Sequence, residues 1–105
     1  MYQRSKYGAI KTVIGGLKFD SCAEANRFLV LRALQQAKRI GEITLQKRFP
    51  ITINGIKVCD YVADFVYNRD GETVVEDVKG FKTAVYNLKK KIMLDIYWIY
   101  VLEVA

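Results

Sequence analysis

The chain has 105 residues, with 17 Lys plus Arg against 11 Asp plus Glu, no histidine, two cysteines and an apolar share of 51%. That is one domain over 1–105, with room for a single packed core. Without imidazole there are no His general bases, no Ser-His triads and few routes to zinc, so any chemistry rests on carboxylates, lysines or tyrosines.

Residues 10–19 read as a short β-hairpin turning at Gly15-Gly16. Ser21 to about Ile40 reads as a helix. Ser21-Cys22-Ala23-Glu24 has the form of a capping box, and Gly41 is the stop. At about 100° per residue its apolar side centres on Leu29, Val30, Ala33, Ala37 and Ile40. Ile43 to Ile53 reads as a strand in which Pro50 implies an edge or a bulge. Asn54-Gly55 turns into a strand over Val58 to Tyr67, and Asp70-Gly71 returns it through Thr73 to Lys79. Thr83 to about Asp95 reads as a second helix, apolar at Val85, Leu88 and Ile92. Ile96 to Val104 is an apolar run suited to a strand buried on both faces. The expected class is α/β, an αβββαβ core with a mixed central sheet, preceded by the N-terminal hairpin.

No apolar h-region follows Met1 to Lys6, and the Ile96–Leu102 run is far below the roughly 20 residues that cross a bilayer. A cytoplasmic chain is therefore expected, without a membrane partner, and with Cys22 and Cys59 as buried free thiols. The net charge of +6 suits a polyanionic partner, most often nucleic acid. Positive charge gathers at Arg4-Ser5-Lys6, Lys38-Arg39, Lys47-Arg48 and from Lys79 through Lys82 to Lys89-Lys90-Lys91. The last group is read either as a DNA-binding surface or as a solvated helix face.

One carboxylate, Asp64, interrupts the apolar stretch Tyr61 to Tyr67. A two-residue loop at Asp70-Gly71 sets Asp64 opposite Asp77, Val66 opposite Val75 and Lys79 opposite Val62. Like charges directly opposed on a sheet are destabilising, and a cation between them would offset that cost. Pairing of the two carboxylates to Lys79 or to a nearby Arg is the alternative. Asp60 and Glu76 are weaker candidates, since Asp60 lies toward the strand start and Glu76 points to the other face under strict alternation.

This element order, with Asp64 on the second core strand and Asp77-Val78-Lys79 on the third, resembles the PD-(D/E)XK nuclease superfamily, the restriction-endonuclease-like fold. Within it the chain looks most like a family of small phage proteins with a junction-resolvase-like endonuclease site. The runs that carry this likeness are Gly16 to Ser21, Ala63-Asp64-Phe65 and Asp77 to Thr83; Ala63 stands where the superfamily often has Pro. The resemblance implies a Mg²⁺-dependent DNA endonuclease, with Mn²⁺ able to substitute. It would hydrolyse phosphodiester bonds in a bacterial host's cytoplasm, on branched DNA by analogy with phage junction-resolving nucleases. The implied metal ligands are Asp64, Asp77, the Val78 carbonyl and Glu24, whose other reading is the capping box alone. Lys79 would orient the attacking water or stabilise charge on phosphorus. Lys82, Lys89, Lys90 and Lys91 would bind DNA phosphates. A homodimer would present two sites, with part of Ile96–Leu102 at the interface or, alternatively, all of it inside a central strand. A non-catalytic nucleic-acid-binding module that keeps the fold is the alternative function.

Overall fold

A computed structural model of the chain describes Gln3–Arg4 and residues 10–104, so Ser5 and Lys6 of the first basic group lie outside the described residues. A small antiparallel sheet of β1 (Gln3–Arg4), β2 (Ile10–Ile14) and β3 (Leu17–Phe19) leads into α1 (Cys22–Gln36). Then follow β4 (Thr44–Ile53), β5 (Ile56–Arg69), β6 (Glu72–Val78), α2 (Ala84–Asp95) and β7 (Val101–Val104). The second sheet runs in the order β4-β5-β6-β7 and is mixed: β4, β5 and β6 pair antiparallel, and β7 lies parallel to β6. The fold is α/β with an αβββαβ order after the leading hairpin.

Its turns follow from local stereochemistry. Gly15-Gly16, Asn54-Gly55 and Asp70-Gly71 each supply two consecutive positive φ angles, 54° and 83°, 51° and 78°, 53° and 83°. That is the demand of a two-residue type I′ hairpin loop. The last turn sets Val66 opposite Val75 and Phe65 opposite Glu76, the register that a two-residue loop dictates. β4 is an edge strand; Pro50 lies in it, and its register shifts between Ile51 and Thr52. Ser21 and Thr83 cap the two helices, their hydroxyls accepting from the Glu24 and Tyr86 amides at 3.1 Å. α1 ends well before Gly41, because Lys38 takes the left-handed φ of 59° that closes it.

The two helices cover opposite faces of the sheet. Phe19, Ala25, Phe28, Leu31, Phe65 and Tyr67 pack together on the α1 side. Ile51, Tyr61, Ala63, Val66, Val75, Met93 and Val101 pack on the α2 side.

Four expectations need correction. α1 buries Glu24, Ala25, Phe28 and Leu31, while Leu29 and Val30 are exposed and only Ile40 of the expected stripe reaches the core. Both sides of α1 are apolar enough to pack, and the register of Phe19 and Phe65 beneath it selects the one carrying two aromatic contacts, Phe28 to Phe19 and to Phe65. In α2 the buried residue is Met93, and Val85 and Leu88 are exposed. The Ile96–Val104 run is a strand only from Val101, at the sheet edge rather than its centre, and Ile96, Trp98 and Tyr100 are exposed. The Tyr97 hydroxyl ties the segment before it to Thr52, accepting from its N–H at 2.9 Å and donating to its carbonyl at 3.3 Å. Both cysteines are free, but Cys22 is exposed and Cys59 half-buried.

Candidate functional site

The backbone pairing of β5 with β6 reaches Phe65 and Glu76. Beyond it, side chains take over the ladder. Asp77 Oδ1 accepts from the Asp64 amide and Asp64 Oδ2 accepts from the Val78 amide, both at 2.9 Å. The expected opposition of the two carboxylates is present, and part of its repulsion is offset because each takes a backbone N–H from the other's strand. Asp77 is fully buried and its second oxygen accepts from the Tyr61 hydroxyl. Burial, then the charge of Asp64, pushes the Asp77 carboxyl up to about 6, against the Tyr61 hydrogen bond. Loss of water and the adjacent Asp77 carboxylate likewise hold the Tyr61 phenol well above its ordinary range.

Glu24 comes to the same place from α1. It occupies the third helical position, and its amide completes half of the capping box. Its carboxylate instead meets the Gln46 side-chain amide, which donates to Glu24 Oε1 at 3.1 Å and to Asp64 Oδ1 at 3.2 Å. Glu24 is 7% exposed, and burial first, then the charges of Asp64 and Asp20, push its carboxyl up to about 7.

Gln46 can bridge them because the strands change face here. Ile43 and Leu45 pack with the α1-side cluster, whereas Phe49 and Ile51 belong to the α2 side; Phe65 and Ala63 divide in the same way on β5. All are odd-numbered, so strict alternation would keep them on one face. Gln46, with φ of 52°, is the irregular residue in β4 at that point, between the pairs Leu45↔Phe65 and Lys47↔Ala63. A left-handed non-glycine inside a strand costs on the order of 1 kcal/mol. Here it turns the amide toward two carboxylates.

Lys79 follows Asp77 at the end of β6, its amide donating to the Val104 carbonyl at 3.0 Å. Its ammonium sits 4.6 Å from the Tyr86 ring centroid and makes no ion pair with Asp64 or Asp77 among the described residues. Its charge still lowers the Glu24 and Asp77 carboxyls, so all four groups share one electrostatic neighbourhood. The Tyr86 hydroxyl donates to Glu103 Oε2 at 2.9 Å, and burial with that bond raises its phenol well above the ordinary range.

The basic surface is more tightly organised than a solvated face. Lys82 and Lys90 both pair with Glu103 Oε1, at 3.1 and 3.0 Å, and hold its carboxyl down at about 2. Lys89 donates to the Asp60 carbonyl at 2.8 Å, and only Lys91 has an ordinary helical pair, with Asp95. Asp60 pairs with Lys57 and Arg48. Glu76 is buried, held by Arg27 at 2.5 and 3.0 Å and by the Tyr67 hydroxyl at 2.6 Å, a core support for the hairpin.

The sequence-derived site residues thus divide. Glu24, Asp64, Asp77 and Lys79 gather at one end of the hairpin, and the Val78 amide is taken by Asp64. Among the described residues, however, no three His, Cys, Asp or Glu side chains converge as a metal-holding group. No site role was read from the sequence for Gln46, Tyr61, Tyr86 or Glu103. Tyrosines and carboxylates are among the types that can carry chemistry, but which of them do so is decided only by the strand or helix placed beside each. No helix is long and apolar enough to cross a membrane among the described residues.

Residues 4–101 match the family model described as "Protein of unknown function (DUF1064)". No curated protein and no solved structure matches the chain.

Proposed function

The chain belongs to the DUF1064 family, and we propose that it is a divalent-metal-dependent endonuclease that hydrolyses DNA phosphodiester bonds. The observation that carries this reading is the meeting of Asp64, Asp77 and Glu24 with Lys79 at one end of a hairpin. Two of the three carboxyls are held above their usual range by burial and by one another. Such a grouping is costly to a structure and useful to a metal site. The donor set suits a hard cation: each oxygen of Asp64 and Asp77 accepts one hydrogen bond and keeps a lone pair. Asp64, Asp77, the Val78 carbonyl and Glu24 would hold Mg²⁺, with Mn²⁺ as a substitute. The ion would supply an acidified water and neutralise charge on the phosphoryl oxygens.

The protein's own part is to keep these groups together and poorly hydrated. Gln46 orients Glu24 and Asp64, Tyr61 orients Asp77, and Tyr86 holds the Lys79 ammonium beside the carboxylates. Lys79 offers positive charge to a phosphate placed there. Lys82, Lys89, Lys90 and Lys91 extend that charge toward the DNA backbone. A homodimer in the cytoplasm, cutting both strands of a branched substrate, completes the proposal.

A panel of labelled linear and branched DNAs, with Mg²⁺, Mn²⁺ or EDTA, tests it. Cleavage should require metal and vanish in Asp64→Asn and Asp77→Asn, both of which should fold. Lys79→Ala should lower turnover by orders of magnitude with little change in DNA affinity. Wild-type rates in either Asn variant would end the proposed site.

A second reading, a non-cutting DNA-binding module, is favoured by the lack of a converged metal-holding group among the described residues. Calorimetric titration with Mg²⁺ and Mn²⁺ separates the two, since the module would bind DNA and take up neither ion at the Asp64–Asp77 pair.

A further inference from the structure

Between β6 and α2 the chain passes through Gly80, Phe81 and Lys82. Phe81 is 81% exposed, and no ring among the described residues stacks on it. A Cβ added at Gly80 would meet nothing within 4 Å, so the backbone next to Phe81 is open on that side. A single exposed apolar side chain is ordinary, but the company of this one is not. It lies two residues beyond Lys79 and next to Lys82, in the only stretch that joins the carboxylate end of the hairpin to the basic helix α2. An aromatic ring set among cations is the pattern with which proteins take single-stranded nucleic acid: the ring stacks on the face of a base and the cations follow the phosphates.

We propose that Phe81 stacks on an unpaired base beside the scissile phosphate, and so selects DNA that carries an unstacked nucleotide, such as a fork or branch point, over continuous duplex. The inference rests on the nuclease reading for the position of the phosphate, and it replaces analogy with a named residue for the branched substrate. In paired duplex each base face is already occupied by its neighbours, so the ring has nothing to stack on. At a branch point an unpaired base exchanges water or a weak stack for Phe81. The base identity is not read, because every base has such a face.

The test is made in EDTA, where binding is measured without cleavage. The probes are a fork with 2-aminopurine at the unpaired branch-point position and a linear duplex of the same length. The wild-type chain should bind the fork more tightly and quench the 2-aminopurine. Phe81→Ala should lose about ten- to hundredfold in fork affinity, the range of one base–aromatic stack, lose the quench, and keep its duplex affinity. Phe81→Trp should retain both signals. Equal fork affinity and equal quench in wild type and Phe81→Ala would overturn the inference alone, leaving any metal-dependent cutting intact. Phe81-dependent fork binding by a chain that never cuts with Mg²⁺ or Mn²⁺ would uphold the stack and overturn the nuclease reading. Failure to bind either DNA would overturn both.

Discussion

Asp77 protonates at about 6 in the folded chain against 3.8 for a free carboxyl, and Glu24 at about 7 against 4.5. Both folded values are raised, so the folded state holds these protons more tightly than the unfolded one. The resulting stability is fully present below about pH 4 and is lost as pH rises through 6 and then 7. Without metal, the melting temperature should fall across that interval. Glu24→Gln should remove the upper part of the fall, and added Mg²⁺ should raise the melting temperature more at pH 7.5 than at pH 5. Glu103 acts in the opposite direction: its carboxyl is lowered from 4.5 to about 2, so its contribution is present above about pH 5 and is lost as pH falls from there through 2. A metal-free melting temperature that is level from pH 4 to 7.5 would remove the buried-carboxylate account. At this scale Asp64, Asp77 and Lys79 were readable from their spacing on a hairpin. Gln46 was not, since its part depends on a backbone turned to a φ of 52° opposite a strand far along the chain.

The elements make two further predictions. If α1 buries Leu31 and exposes Leu29, Leu31→Ala should cost about 2–5 kcal/mol, and Leu29→Lys should stay within about 0.5 kcal/mol. Chemical denaturation of both variants decides it, and the reverse order would restore the stripe expected from periodicity. Lys90 on α2 and Lys82 just before it are already engaged in the folded chain, both with Glu103. DNA phosphates would therefore compete with a carboxylate for Lys82 and Lys90. Glu103→Gln should tighten DNA binding and steepen its dependence on salt by about one unit of log K per log salt. Replacing Lys89, Lys90 and Lys91 together should flatten that dependence. Salt titrations of binding measure both, and unchanged slopes would confine the lysines to intramolecular pairing.

For the whole molecule, the exposed apolar side chains from Ile96 to Leu102 bear on the homodimer proposed above. Ile96, Trp98, Tyr100 and Leu102 are 66%, 87%, 63% and 38% exposed, and β7, which carries Leu102, pairs only with β6 among the described residues. An uncovered edge strand invites pairing, and a two-fold axis beside β7 would give the dimer a continuous sheet and two sites. Light scattering over a concentration series should show a dimer that Trp98→Glu dissociates. A wild-type monomer at high micromolar protein, with and without DNA, would leave paired strand cutting without a mechanism.

What the amino-acid sequence determined by itself is what short-range forces settle. Asp70-Gly71, Asn54-Gly55 and Gly15-Gly16 set the hairpin turns through the φ angles they tolerate, and with the first of them the Phe65↔Glu76 register. Ser21 and Thr83 set the helix starts through one hydroxyl each. The order of elements, and with it the pairing of Asp64 with Asp77 across a hairpin, follows from these. Which surface of each element meets the core was decided only in three dimensions. α1 and α2 each carry more apolar residues than one buried face can use, and Phe19, Phe65, Val75 and Val101 on other elements choose among them. The same holds for charge. A lysine's spacing along α2 says which way it points, but Glu103 lies on a strand that arrives later in the chain, and only the parallel pairing of β7 with β6 brings it within reach of Lys82, Lys90 and Tyr86.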